Sequence, residues 1–294
     1  DYLAHVEDRL LRTYLIGSEA VLGPIVEEAV KAGALLGIMA LFPGEFDGLL
    51  DGIIYGSIVG LGFAMTENLL YFVGAWSGGG LESWSVIVLG RTVAFGFSHA
   101  MFTSFTGIGL GLARGHQHAP TRWAYGAAGL GTAILAHLLH NLFLSAGALC
   151  FASLLSDWLG LLLVAAVAAL ARRQERRWIR EELAEEVRLG ILTPAQYRGI
   201  VNRTPGGPMP WRALVRDAIE LAIKRHQYAR HGEGRGNAMA HIAALRDSIV
   251  RQRQVLGDPA VAGRRVCAVC GAYEPTTSRP FCTSCGAAWP QPPR

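Results

Sequence analysis

Apolar side chains dominate the first 171 positions, and polar or glycine-rich breaks divide them into five runs, roughly 19–42, 48–76, 84–113, 122–150 and 155–171. Each run comes close to the ~20 residues that a helix needs to cross ~30 Å of hydrocarbon. The runs are continuous rather than alternating, which excludes the short period-two strands of a membrane barrel, and an open strand could not satisfy its backbone in lipid. The pattern therefore predicts an all-α polytopic bundle of transmembrane helices. Gly52, Gly56 and Gly60 recur at four-residue spacing on the second run, an arrangement that lets helix backbones approach closely.

After Arg173 the pattern turns soluble. An amphipathic run continues to about 189, Thr193-Pro194 marks a helix start, a Gly-Pro break falls at 205–210, and helices are expected near 211–231 and 237–256. The expected organisation is an N-terminal interfacial segment over 1–18, a transmembrane core over 19–171, a cytoplasmic helical region over 172–258 and a small metal-binding module over 263–290. The first apolar stretch holds two adjacent carboxylates and does not read as a secretory leader; an upstream span remains an open expectation.

Composition agrees with a membrane protein: 51% of the 294 residues are hydrophobic and 17% charged. Charge also separates the two parts. Residues 1–171 carry 6 Lys+Arg against 12 Asp+Glu, and residues 172–294 carry 21 against 11. Arg114 and Arg122 flank the third loop and Arg172, Arg173, Arg176, Arg177 and Arg180 follow the fifth run, whereas the loops expected at 77–83 and 151–154 hold no Lys or Arg. Basic residues collect on the cytoplasmic side, so a multi-pass plasma-membrane protein with a cytoplasmic C-terminal tail is expected. Few aromatics interleave with the arginines, which favours a solvated or headgroup-facing surface over a nucleic-acid site.

Ionisable groups inside the runs are the candidate chemistry, since each costs about 2.5–3.5 kcal/mol on insertion scales. The first run holds Glu27, Glu28 and Lys31, the second Glu67, the third Arg91 and His99, and the fourth His137, His140 and the amide Asn141. Glu27 and Lys31 share a helix face at i,i+4, while Glu28 points about 100° away from Glu27. Pro24, one turn earlier, removes a helix hydrogen bond. Phe63 with Glu67, Phe95 with His99 and His137 with Asn141 repeat the i,i+4 spacing. Carboxylates and imidazoles at comparable depth suit a divalent metal such as zinc, with three protein ligands, a water and a carboxylate base. Two other classes fit part of the pattern: a haem or quinone protein using His99 with His137 or His140, and an ion-coupled transporter using the buried carboxylates.

Four of these stretches together resemble a known family. Pro24 to Lys31 (PIVEEAVK), Gly62 to Asn68 (GFAMTEN), Phe95 to His99 (FGFSH) and His137 to Asn141 (HLLHN) look like the successive motifs of the PrsW family of intramembrane proteases, relatives of the CAAX prenyl endopeptidases. The resemblance covers about residues 18 to 200. It implies a bacterial membrane protease that uses glutamate and metal chemistry on a membrane-anchored, anti-sigma-factor-like protein substrate. By the same resemblance, one of Glu27 and Glu28 polarises the attacking water, Glu67, His99 and His137 hold the metal or the water, and Asn141 positions a ligand or stabilises the oxyanion. His140 lies off the family spacing and is either a substitute ligand or a packing histidine. Arg91 matches no motif, and pairing with Glu67 or a lipid phosphate is its plain reading.

The tail carries a separate signal. Cys267-x-x-Cys270 and Cys282-x-x-Cys285, separated by 11 residues, are spaced as the two knuckles of a closed four-thiolate zinc ribbon. Such a short segment folds with its metal, and a cytosolic partner of this module is a further expectation. Cys150 ends an apolar run and reads as a small buried hydrophobe.

Overall fold

The computed structural model describes residues 2–42, 46, 48–147, 149–202, 206–231, 238–261, 263–267, 272–275 and 280–288. The chain divides into two compact units, Asp1–Ala171 and Arg172–Arg294.

The first unit is helical. Helix α1 (Tyr2–Leu41) is followed by α2 (Leu49–Leu89), a π-helical turn over Gly90–Ala94, α3 (Ser98–Arg114), α4 (Ala119–Ser145) and α5 (Cys150–Arg188). Among the described residues, three helical stretches are long and apolar enough to cross a membrane: Leu49–Arg114, Ala119–Ser145 and Cys150–Arg188. In α1, Glu27, Glu28 and Lys31 interrupt the apolar run, and the segment expected to lie at the interface, 1–18, is helical from Tyr2 onward. The 66-residue stretch is a hairpin, so the second and third apolar runs are its two arms. Helical hydrogen bonding persists through most of the loop expected at 77–83 and breaks at Gly80, whose φ of 63° and ψ of −152° suit only glycine. Trp76 and Trp84 then meet edge to face across the tip, 6.4 Å between centroids. The loop expected at 151–154 is likewise helical, because no breaker interrupts it; the chain turns earlier, with Gly147 at φ 57°.

Glycine sets how closely the helices pack. A Cβ on Gly52 would lie 2.1 Å from the Gly107 carbonyl oxygen, one on Gly56 2.7 Å from that of Thr103, and one on Gly60 2.2 Å from that of His99. The face expected from spacing thus brings the first arm of the hairpin against α3. On its other side α3 meets α4 in the same way, with Gly109 against Tyr125 and Gly129 against Phe105. Almost every residue of α3 from Ser98 to Gly111 is buried as a result. Helix α5 covers this core with Leu161, Val164 and Val167, packed against Met101, Phe102 and Phe105.

The second unit begins within the sequence of α5 and continues through α6 (Pro194–Val201), α7 (Met209–His231) and α8 (Ala238–Val255). Thr193 caps α6 as the sequence suggests: its hydroxyl accepts from the Gln196 amide, and the Gln196 side chain accepts from the Thr193 amide. Leu183, Leu214, Leu221, Ile249 and Val250 form the core. Fully buried Glu186 is held by a two-pronged Arg246 contact at 2.7 and 2.9 Å and by Arg225. Arg253 donates to the carbonyls of Gly190 and Ile191, in the turn that follows α5. Two short antiparallel strands, β1 (Arg264–Val266) and β2 (Tyr273–Pro275), open the tail module.

The close approach of Gly60 to a backbone atom leaves no side chain that could yield. Gly60→Ala is expected to cost about 1–3 kcal/mol of stability in detergent, while Gly131→Ala, with no atom within 4 Å, is expected to be neutral or slightly stabilising. Reversible unfolding in SDS–detergent mixtures measures both.

Candidate active site

Ionisable groups of the first three apolar runs and His137 of α4 converge on one place. Glu28 is fully buried on α1. Its Oε1 lies 2.7 Å from Lys31 Nζ and 3.1 Å from His137 Nδ1, and its Oε2 accepts from the Thr103 hydroxyl at 3.3 Å. Lys31, 1% exposed, also reaches His99 Nδ1 at 3.1 Å and Glu27 Oε2 at 3.5 Å, and its ammonium sits 3.9 Å above the Phe63 ring. A buried ion pair survives only when its remaining donors and acceptors are met, and here three helices meet them.

Each histidine turns one nitrogen toward a carboxylate. His137 Nδ1 faces Glu28, leaving Nε2 toward Glu27 Oε2 at 3.9 Å. His99 Nε2 lies 2.7 Å from Glu67 Oε2, which also stands 2.8 Å from Arg91. Arg91 in turn donates to Asn68 at 2.6 Å and lies over the Tyr71 ring. The π-helical turn and the non-helical Phe95 and Phe97 that follow it aim this part of the chain. Only glycine fits at 96, where a Cβ would lie 2.3 Å from the Thr92 carbonyl oxygen. The two imidazoles meet edge to face at 5.0 Å, with Phe102 stacked on His137 at 4.7 Å. A porphyrin does not fit between them.

Glu27 differs from Glu28 in being about a quarter exposed. One donor atom each from Glu27, His99 and His137 lies within 4.8 Å of the others. Two imidazoles and a carboxylate are a fitting donor set for a divalent cation, and the second nitrogen of each ring faces a carboxylate, as metal-binding histidines require. Glu67 Oε2 is buried between His99 Nε2 and the Arg91 guanidinium. The compact donor group therefore contains Glu27, with Glu67 behind His99. Asn141 is half-buried, and among the described residues its side chain makes no hydrogen bond to this cluster.

His140 belongs to a second buried group that sequence reasoning did not assemble. Its Nδ1 lies 2.7 Å from Asp157 Oδ2 and 3.0 Å from the Ser153 hydroxyl, and Ser98 donates to the same Asp157 oxygen at 2.5 Å. Asp157 is the one charged residue between 150 and 171. It carried the same signal as Glu67, a carboxylate inside an apolar run.

In the tail, the Sγ atoms of Cys267, Cys282 and Cys285 lie within 4.8 Å of one another, with 3.6 Å between Cys267 and Cys285. Thiolates about 2.3 Å from a tetrahedral ion would stand ~3.8 Å apart, so this group could hold a metal. Cys267 and Cys282 each accept a matching turn, their amides donating to Ala272 and Ala287 at 2.8 Å. Cys270 lies outside the described residues. Glu274 ties the strand to the second knuckle: hydrogen bonds from Thr283 and Cys282 hold its carboxyl below the usual range. Cys150, expected to be buried, is exposed on the apolar surface of α5.

Two buried imidazoles and a partly exposed carboxylate, set within a bundle whose helices include ones apolar enough to cross a membrane, are the framework expected of an intramembrane metallohydrolase. The chain belongs to the PrsW family intramembrane metalloproteases, whose family pattern matches residues 9–171; it is a membrane protein. The match ends at Ala171, short of the 200 suggested by the motifs. The chain is similar to Protease PrsW of Oceanobacillus iheyensis, 34% identical over 134 residues, which cover 45% of this chain and 56% of that protein. The chain thus spans about half the length of this curated relative. No solved structure matches it.

Removing the ammonium would leave Glu28 buried and uncompensated. Lys31→Met is expected to destabilise the fold by about 3–5 kcal/mol; a Lys31→Met protein with wild-type unfolding in detergent would contradict the contacts described.

Proposed function

We propose that the chain is an intramembrane endopeptidase that hydrolyses a peptide bond of a membrane-anchored protein, within the bilayer or at its outer edge. The observation that carries this reading is the approach of Glu27, His99 and His137 donor atoms to within 4.8 Å inside the helical bundle. Those three residues would hold a divalent ion, zinc being the natural candidate for this donor set, and when bound the ion would supply Lewis-acid polarisation and charge stabilisation. Glu28 holds the His137 ring in place through Nδ1, and Lys31 balances the charge of Glu28. Glu27, the carboxylate open to water, accepts the proton of the attacking water on the oxygen turned away from Lys31 and His137. The water oxygen bonds to the scissile carbonyl carbon, the C–N bond breaks, and Glu27 returns the proton to the leaving amine. Glu67 fixes the tautomer of His99, as Glu28 does that of His137.

The charge pattern supports a bacterial plasma-membrane location with several crossings and a cytoplasmic tail: Arg114 and Arg122 flank one turn, while the hairpin tip at 77–83 carries no positive charge. An anti-sigma-factor-like single-span protein is the first substrate to test. The tail cysteines are read as a structural zinc ribbon, folding with its ion and available to a cytosolic partner.

Cleavage of reconstituted single-span substrates is expected to fall by at least about 10³-fold in Glu27→Gln, Glu28→Gln, His99→Ala and His137→Ala, with the fold retained in the Glu27, His99 and His137 variants and weakened in Glu28→Gln. Full activity in either glutamate variant would refute the mechanism. The full chain is expected to bind two zinc ions, one lost in His137→Ala and the other in Cys282→Ser; retention of both ions in the His137 variant would remove the membrane metal site.

A further inference from the structure

The geometry points to Asp157 as a positioning residue: from α5 it clamps the start of α3 and the adjacent turn of α4, and so fixes where His99 and His137 face. The inference rests on the proteolytic reading of the His99–His137 site.

Three observations support it. First, α3 begins after a π-helical turn and two non-helical residues, and Phe97 at its N-cap offers no side-chain hydrogen bond. The rotation of its first turn therefore depends on other contacts, and Ser98, immediately before His99, is tied to Asp157 at 2.5 Å. Second, the same Asp157 oxygen lies 2.7 Å from His140, which is one turn from His137 on α4. One carboxylate oxygen thus joins the two helices that carry the histidines. Third, the group is enclosed: Ser153 is fully buried, and Asp157, Ser98 and His140 are less than 9% exposed. Phe102 fills the space between the two groups, stacked on His137 and edge-on to His140 at 5.5 Å.

A carboxylate in an otherwise uncharged stretch of α5 is costly in lipid. Ion-free packing by Leu161 and Val164 already seats α5 on the bundle. What Asp157 adds is a directional constraint on two side chains next to the donor residues, and displacement of a reacting group by about 1 Å costs on the order of 10²-fold in rate.

The test compares full-length wild type, Asp157→Asn, Ser98→Ala, Ser98→Thr and the Asp157→Asn/Ser98→Ala double variant in liposomes with a single-span substrate, alongside amide hydrogen exchange in detergent. Asp157→Asn and Ser98→Ala are expected to lower kcat by roughly tenfold to a hundredfold, with KM within about twofold. The double variant is expected to be no worse than the poorer single one, and Ser98→Thr, which keeps the hydroxyl, to restore the rate. Exchange at amides 101–104 is expected to quicken in both single variants and to stay unchanged at 26–31. Wild-type kcat in folded Asp157→Asn, additive losses, or unaltered exchange would each overturn the assignment. If Asp157→Asn does not fold, Ser98→Ala against Ser98→Thr decides it on the same readouts. A wild type that cleaves nothing would refute the proteolytic reading alone, because the exchange measurement still decides whether Asp157 holds α3.

Discussion

A carboxylate and an ammonium 2.7 Å apart, both shut off from solvent within an apolar bundle, impose the main constraint on the first unit. Neither charge is tolerable there alone, and the pair is tolerable only because its spare lone pairs and protons are met by Thr103, His99 and His137. Those partners come from α3 and α4. The Glu28–Lys31 pair therefore ties three helices together and orients the two imidazoles at the same time. The same contacts that stabilise the fold prepare the site, so substitutions at Glu28 and Lys31 act on both.

Such convergence requires the backbones to come close. Glycines at 52, 56 and 60 let the hairpin arm lie against α3 with carbonyl oxygens where a methyl group would be, and glycines at 109 and 129 do the same between α3 and α4. Without a hydrophobic drive between helices in lipid, close van der Waals packing and polar contacts must hold the bundle. The π-helical turn and the break at Phe95–Phe97 separate Arg91 from His99, and both reach the same oxygen of Glu67.

Much of this was legible in the sequence. Continuous apolar runs announced the helices, and the expense of charge in lipid singled out Glu27, Glu28, Lys31, Glu67, Arg91, His99 and His137, all of which the structure brings into one network. Spacing along separate helices carried no information about their relative rotation, and for that reason the donor group with Glu27, and Glu67 behind His99, emerges only in three dimensions. Turn positions were harder still. A helix can continue through uncharged stretches such as 151–154, so local composition located the first bend, at Gly80 within 77–83, and misplaced the second. Asp157 shows the opposite failure: its signal was present, but its partners Ser98 and His140 are distant in sequence. In the second unit the capping box at Thr193 was readable because its chemistry is local, whereas the Glu186–Arg246 pair is not.

The proposed function implies two metal sites of different chemistry, one of thiolates in the tail and one of imidazole and carboxylate in the helical bundle. X-ray absorption at the zinc edge of the full chain separates them most directly. The account expects imidazole scattering superimposed on sulfur at ~2.3 Å, with the imidazole contribution lost when His99 and His137 are both replaced by alanine. A sulfur-only spectrum from the zinc-saturated wild type would contradict it.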